Sequence, residues 1–179
     1  MSADSAADST ISVVLVDDEP LLRRSLRIVI DREPDLKVIG EADTGTSAVE
    51  EIRRVRPDVV LMDIRMPEGD GIEATRRIGA DPSLSSVRVI VLTMFEFDEY
   101  VYQARRVGAS AFLLKDARPE QLSDAIRRVY AGESLFAPRV LARLIDNVVE
   151  HGADRGKRHH VGGLTHREVE VLTVVGKGL

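Results

Sequence analysis

Carboxylate, hydroxyl and ammonium side chains stand directly after short apolar runs in this 179-residue chain. In chain order they are Asp17, Asp18, Asp63, Thr93 and Lys115. Three carboxylates brought together repel one another, and their pKa values rise unless a cation neutralises them. Oxygen ligands and the lack of cysteine favour a hard ion, most simply Mg²⁺.

The same residue types are suited to receiving a phosphoryl group. A cation held by Asp18 and Asp63 leaves one Asp63 oxygen free to attack phosphorus. Lys115 adds a positive charge, and Thr93 adds a hydroxyl that can hydrogen-bond a new anion. The chemistry is mostly positioning and charge neutralisation. Taken singly, each residue has a plainer explanation, because acidic residues favour helix starts and a lysine is usually solvated.

Five apolar runs alternate with five amphipathic segments, and these elements must position the polar residues. Strands are expected at 11–16, 37–42, 59–63, 87–92 and 111–114, and helices at 19–32, 45–55, 70–78, 97–107 and 118–131. The alternation predicts an α/β fold of βαβ units, with a doubly wound parallel sheet covered on both faces. Ligands of such sheets bind beyond the carboxyl ends of the strands, where the five polar residues fall.

Local signals mark the element ends. Pro20 suits the first turn of a helix, and Asp70 with Glu73 has the spacing of a capping box. Gly108 and Gly132 are placed to end helices. The strand 37–42 is less apolar than the others and is expected near an edge of the sheet.

Composition narrows the class of protein. No apolar run approaches the roughly 18 residues of a membrane helix, and there is no cysteine. We therefore expect a cytoplasmic protein without membrane contact. The net charge is −5, with −6 over residues 1–131 and +1 over residues 132–179. The acidic main body is not expected to bind nucleic acid itself.

Several segments together carry a specific pattern. They are 14–19 (VLVDDE), 61–67 (LMDIRMP), 91–93 (VLT), 108–116 (GASAFLLKD) and 164–168 (LTHRE). The first four resemble bacterial response-regulator receiver domains of the NarL/FixJ type, and the last is similar to the opening of a LuxR-type helix-turn-helix domain. The likeness covers residues 11–149 well and 164–179 in part.

The resemblance implies a flavodoxin-like strand order 2-1-3-4-5 and a role for the acidic residues. Asp63 would accept a phosphoryl group from a phosphohistidine of a sensor histidine kinase. Asp18, Asp63 and the backbone carbonyl of Arg65 would bind Mg²⁺ directly, and Asp17 would act through water.

The resemblance also implies a switch. Lys115 would contact the phosphoryl group, Thr93 would move toward it, and the aromatic Phe112 would move inward behind it. The added charge would bias a surface near 97–107 and 111–114 between two states. A homodimer would form on phosphorylation, and a possible dimer face carries Arg23, Arg27, Arg127 and Arg128.

Composition, periodicity and the resemblance together predict five segments of the chain. They are a disordered tail (1–10), a receiver domain (11–132), a linker helix (133–149), a flexible linker (150–163) and the first helix of a truncated LuxR-type DNA-binding domain (164–179). The helix that enters the major groove comes second in a helix-turn-helix. Promoter DNA is therefore expected as a partner of the full-length protein only.

A phosphorylation-switched transcription regulator is the leading hypothesis, and two alternatives compete with it. The first is a stand-alone receiver that acts as a phosphate sink or protein-docking module. The second is an enzyme such as a Mg²⁺ phosphatase with an aspartyl nucleophile, which typically needs a second acid two residues on, where this chain has Arg65. No glycine-rich phosphate loop follows any strand. We therefore expect no enzyme activity beyond phosphorylation and dephosphorylation of the protein itself.

Overall fold

Five parallel strands form one sheet in this computed structural model, which describes residues 10–66, 70–94 and 98–136, except for the side chains of 98–101. The strands are β1 (Ile11–Val16), β2 (Leu36–Ala42), β3 (Val59–Asp63), β4 (Arg88–Thr93) and β5 (Ala111–Leu114). Their order is β2-β1-β3-β4-β5. This confirms the expected flavodoxin-like order and the edge position of β2.

A helix follows each strand. The helices are α1 (Pro20–Asp31), α2 (Gly45–Val55), α3 (Gly71–Ala80), α4 (Asp98–Arg106) and α5 (Pro119–Tyr130), and a short 3-10 helix, Pro82–Leu84, precedes β4. The expected elements are confirmed to within one or two residues at each end. None of the described helices is both long and apolar enough to cross a membrane. Of the expected tail (1–10) only Thr10 is described, and of the expected linker helix (133–149) only residues 133–136 are described, which are not helical. The rest of both segments, the flexible linker (150–163) and the segment 164–179 lie outside the described residues.

Capping and glycine conformation explain several helix ends. The Asp70 side chain caps α3 by accepting a hydrogen bond from the Ile72 N–H at 2.7 Å, one residue earlier than a capping box requires. Gly108 and Gly132 have positive φ angles of 100° and 93°. That conformation favours glycine, so both residues end their helices as the sequence predicts.

The sheet is buried on both faces, and its strands alternate between two cores. In β3, Leu61 packs in a core that α1 and α5 cover, whereas Met62 packs in a second core that α2, α3 and α4 cover. Every residue of β3 is therefore buried. This explains why the run 59–63 is continuously apolar up to its last residue.

The edge strand β2 contains a register shift that the sequence pattern did not reveal. Val13 pairs with Val38, but Val14 pairs with Gly40, so Ile39 is an extra residue. Because of this extra residue, the side chains that follow it point to the opposite face of the sheet from the one that strict alternation predicts. As a result Val38 packs in the α1/α5 core and Ala42 in the opposite one.

The chain leaves α5 along the outer edge of β5. Leu135 forms a parallel bridge with Ala111. Its N–H donates to the Ser110 carbonyl at 3.0 Å, and its carbonyl accepts from the Phe112 N–H at 3.1 Å. Leu135 packs against the α1/α5 core, and Phe136 packs against the opposite core.

Two isoleucines on the α1/α5 face test this division of buried and exposed residues. Ile126 is 0% exposed and Ile28 is 47% exposed. Ile126→Ala should lower the free energy of unfolding by about 2–5 kcal/mol, because it leaves a cavity in a packed core. Ile28→Ala should change it by less than about 0.5 kcal/mol. Urea denaturation measures both, and equal losses would contradict the packing.

Candidate phosphoacceptor site

Strand pairing brings the three carboxylates together. Val16 pairs with Met62, so the residues that come next, Asp17 and Asp63, lie at neighbouring strand ends. Oxygens of Asp17, Asp18 and Asp63 all lie within 4.8 Å of one another. This is the topological switch point of the sheet, where helices leave toward opposite faces and a crevice opens.

Lys115 reaches two of these carboxylates from β5. Its Nζ lies 2.7 Å from Asp17 Oδ2 and 3.0 Å from Asp63 Oδ2. The β5 and β1 strands are three positions apart in the sheet, roughly 14 Å, so the lysine passes over the end of β4. All three side chains are at most 6% exposed. The contact between Lys115 Nζ and Asp17 Oδ2 is an ion pair.

The remaining polar atoms of Asp17 fix the turn between β1 and α1. Its N–H donates to the Ala42 carbonyl at 3.1 Å, and its Oδ1 accepts from the Glu19 N–H at 2.9 Å. Its carbonyl oxygen accepts a hydrogen bond from Nη1 of Arg23. Because the main chain is held on both sides of Asp18, the position of that carboxylate is restricted too.

The environment shifts two pKa values in this group. Burial raises the pKa of Asp63 above its ordinary value, although Lys115 and the backbone N–H of Arg65 oppose the change, and the charge of Asp17 adds to it. Burial lowers the pKa of Lys115, but Asp17 and Asp63 outweigh that effect and raise it overall. The lysine is therefore an ammonium at neutral pH, and ionised Asp63 is only partly compensated.

The other predicted site residues lie at or beside the same strand ends. Thr93 is buried at the end of β4, and its carbonyl accepts from the Lys115 N–H at 2.8 Å. Phe112 is half-buried in β5 and packs against the core under α4. Arg65 is exposed, two residues past Asp63. Their roles in a switch or in holding a metal stay predictions.

Gly71 belongs to the site, although the sequence marked it only as a loop residue. A Cβ built on Gly71 would lie 1.8 Å from the carbonyl oxygen of Asp63, and its own N–H donates to the Ile64 carbonyl at 3.0 Å. The start of α3 thus packs directly on the backbone of the phosphoacceptor candidate. No side chain fits there, and only a three-dimensional contact could show it.

The arginines of the possible dimer face all have acidic partners in their own chain. The pairs are Arg23–Glu41, Arg27–Glu41, Arg127–Asp35 and Arg128–Glu133. A dimer through this face would have to form beside these pairs or exchange them. The dimer face stays a prediction.

Similarity to known proteins identifies the family of this chain. The family profile of the response regulator receiver domain matches residues 13–127. This chain belongs to the response regulator receiver family. The receiver and the residues after it are 38% identical to the uncharacterized transcriptional regulatory protein YxjL of Bacillus subtilis over 169 residues, which is 94% of this chain and 77% of that protein. The response regulator protein VraR of Staphylococcus aureus is 34% identical over the same shares of both chains.

Solved structures agree with the receiver assignment. A LuxR-family two-component response regulator from Aurantimonas superposes with a TM-score of 0.69 at 33% identity, over 79% of this chain and 99% of that one. The receiver domain of a NarL response regulator from Mycobacterium tuberculosis gives a TM-score of 0.65 at 33% identity, over 70% and 99%. The protein is a response regulator of the LuxR family, and the stand-alone phosphate sink is not favoured.

Gly71→Ala tests the close approach of α3 to Asp63. The new methyl group must displace the Asp63 carbonyl, which should cost about 1–3 kcal/mol of stability and shift the Asp63 amide resonance. Gly79→Ala in the same helix is the control, since its Cβ would meet only the Val107 carbonyl at 3.2 Å. Thermal unfolding and amide spectra measure both effects. Equal behaviour of the two variants would contradict the contact.

Asp63→Asn should stabilise the metal-free receiver at neutral pH. The raised pKa of Asp63 means that its ionised form is less favourable in the folded chain than in the unfolded one. The neutral carboxyl is therefore favourable at low pH, and that stability is lost as the pH rises through the folded pKa. Asparagine removes this loss, while Lys115 keeps Asp17 as a partner.

The gain should be on the order of 1 kcal/mol at pH 7 and should shrink toward pH 4. Urea unfolding in a chelator, at several pH values, measures it. Asp116→Asn is the exposed control and should change little. A gain that grows as the pH falls would contradict the assigned direction.

Proposed function

We propose that this receiver accepts a phosphoryl group on Asp63 from a phosphohistidine of a sensor histidine kinase. One observation carries the proposal. The buried Asp63 carboxylate ends β3 with the Lys115 ammonium 3.0 Å away and the carboxylates of Asp17 and Asp18 beside it. The family membership supports the same chemistry. The proposed transfer is to the protein itself, so we infer a switch and not an enzyme that turns over a separate substrate.

The donor set fits Mg²⁺. Three carboxylates whose oxygens lie within 4.8 Å of one another, with one ammonium group, carry a formal charge of −2 when all are ionised. A hard divalent ion bound by oxygen ligands would balance that charge. We propose that Asp18, Asp63 and the Arg65 carbonyl hold it directly and that Asp17 acts through water. When bound, the ion would neutralise charge on the phosphoryl oxygens.

The residues of this chain would perform the transfer as follows. A carboxylate oxygen of Asp63 attacks phosphorus, the bond from phosphorus to the histidine nitrogen breaks, and the electron pair stays on the imidazole. The product is an acyl phosphate on Asp63. Lys115 is already placed to contact the phosphoryl oxygens, because Asp17 holds its ammonium from the other side. The Thr93 hydroxyl would donate a hydrogen bond to the new anion.

Phosphorylation adds a charge of about −1.5 to −2 at a buried strand end. We propose that Lys115 and Thr93 respond to it and that Phe112 moves inward, which changes the surface of α4 and β5. The changed surface would favour a homodimer in the cytoplasm. In the full-length protein the dimer would bind promoter DNA.

The phosphoacceptor is tested with a small phosphodonor and Mg²⁺. Wild type should gain one acyl phosphate, labile in both acid and alkali, by intact mass, and Asp63→Ala should gain none. Asp116→Ala, an exposed aspartate near Lys115, is the control and should react as wild type does. Lys115→Ala should still be phosphorylated but should fail to dimerise in light scattering. Phosphate that persists on Asp63→Ala would refute the assignment, and steady turnover of a generic phosphate ester would favour an enzyme instead.

A further inference from the structure

Arg23 is partly buried next to the metal-binding candidates, although the sequence placed it on a possible dimer face. Its side chain is 16% exposed, whereas its neighbour Arg24 is an exposed residue. A guanidinium this far from water must have hydrogen-bonding or charged partners. The structure supplies two of them, one on each side.

The first partner is the loop that carries the acidic pair. Nη1 of Arg23 donates to the backbone carbonyl of Asp17, and the Arg23 N–H donates to the Glu19 carbonyl at 3.0 Å in the first turn of α1. The side chain thus returns to the peptide that joins Asp17 to Asp18. It does not touch a carboxylate of the site in either contact.

The second partner is Glu41 on β2. Nε of Arg23 lies 3.3 Å from Glu41 Oε2, and Nε of Arg27 lies 2.6 Å from Glu41 Oε1. Arg27 also donates to the Val38 carbonyl at 3.3 Å. Glu41 is therefore held by two arginines, and it fixes the direction of the Arg23 guanidinium.

We propose that Arg23 is a positioning residue for the divalent cation and phosphoryl site, acting through the Asp17 carbonyl. It fixes the peptide between Asp17 and Asp18, so that the Asp18 carboxylate faces Asp63 before any ligand binds. Glu41 orients Arg23 from the edge strand. This inference rests on the proposed function, because it concerns the same acidic site.

A positioning role and a purely electrostatic role of Arg23 predict different effects of its substitution on cation binding, so an experiment can distinguish them. A lysine keeps the positive charge but cannot reach the carbonyl and Glu41 together, because it lacks the guanidinium fork. If Arg23 acts by positioning, Arg23→Lys weakens cation binding. If it acted only by its charge, Arg23→Lys would bind as wild type does, and Arg23→Ala would bind the cation more tightly because a repulsion is removed.

The experiment measures Mg²⁺ binding by isothermal titration at 0.15 M salt. Arg23→Lys and Arg23→Ala should each raise the dissociation constant about tenfold, as losses of supporting contacts around metal ligands do. Glu41→Gln should raise it by a smaller factor, because Arg23 keeps its carbonyl contact. Arg24→Ala is the matched control on the same helix and should match wild type.

A second readout needs no metal. Amide hydrogen exchange of Glu19, whose N–H is bound to Asp17 Oδ1, should become faster in Arg23→Lys in the metal-free protein and should stay unchanged in Arg24→Ala. If Arg23→Ala does not fold, Arg23→Lys and Glu41→Gln still decide the question. Wild-type cation affinity and wild-type Glu19 exchange in Arg23→Lys would overturn the inference.

The two proposals fail in different ways. If wild type takes no phosphate on Asp63, the proposed function fails. If wild type is phosphorylated and Arg23→Lys equals it in both readouts, only the positioning role of Arg23 fails.

Discussion

The ammonium of Lys115 between two buried carboxylates is the interaction on which the carboxyl end of the sheet depends. It connects β5 to β1 and β3 across the end of β4. Without it, Asp17 and Asp63 would place two like charges side by side away from water. With it, the group still carries excess negative charge, since Asp18 lies beside the pair. The uncompensated negative charge destabilises the free protein, and binding of a cation would remove that repulsion.

Most of the fold could be predicted from the sequence, because the spacing of apolar residues within each strand and helix is a local property of the chain. Alternation of apolar runs with helical periods predicted the five strands and five α-helices to within one or two residues, but not the short 3-10 helix Pro82–Leu84. The polar residues at the strand ends were also identified, since a charge that directly follows an apolar run must lie where a buried strand reaches solvent. The sequence predicted that Lys115 and Asp63 belong to one site, but it did not predict their direct contact. Which carboxylates the lysine would reach depends on strand order and side-chain length together.

The contacts that support the site could not be predicted, because they depend on how the folded backbone brings separate segments of the chain together. Gly71 looked like an ordinary loop glycine until α3 was found to pack on the Asp63 carbonyl. Arg23 falls among exposed basic residues of α1 by sequence, yet it turns inward to a carbonyl and to Glu41. The extra residue Ile39 in β2 has no sequence signal, and it sets which face Val38 and Ala42 reach. Periodicity assigns residues to faces, but it does not assign partners.

The segment after α5 gives the sheet a protected border. Without Leu135, the Ser110 carbonyl and the Phe112 N–H would stand unpaired on the outer strand, and such edges are templates for association with another chain. Leu135 forms hydrogen bonds with both groups, and its neighbour Phe136 packs against the core on the opposite face of the sheet. A shortened chain that ended at Tyr130 would keep every strand and helix described above, but it would leave this edge open. The folding unit therefore extends past α5, the last of the described helices, at least as far as the residues that cover this edge.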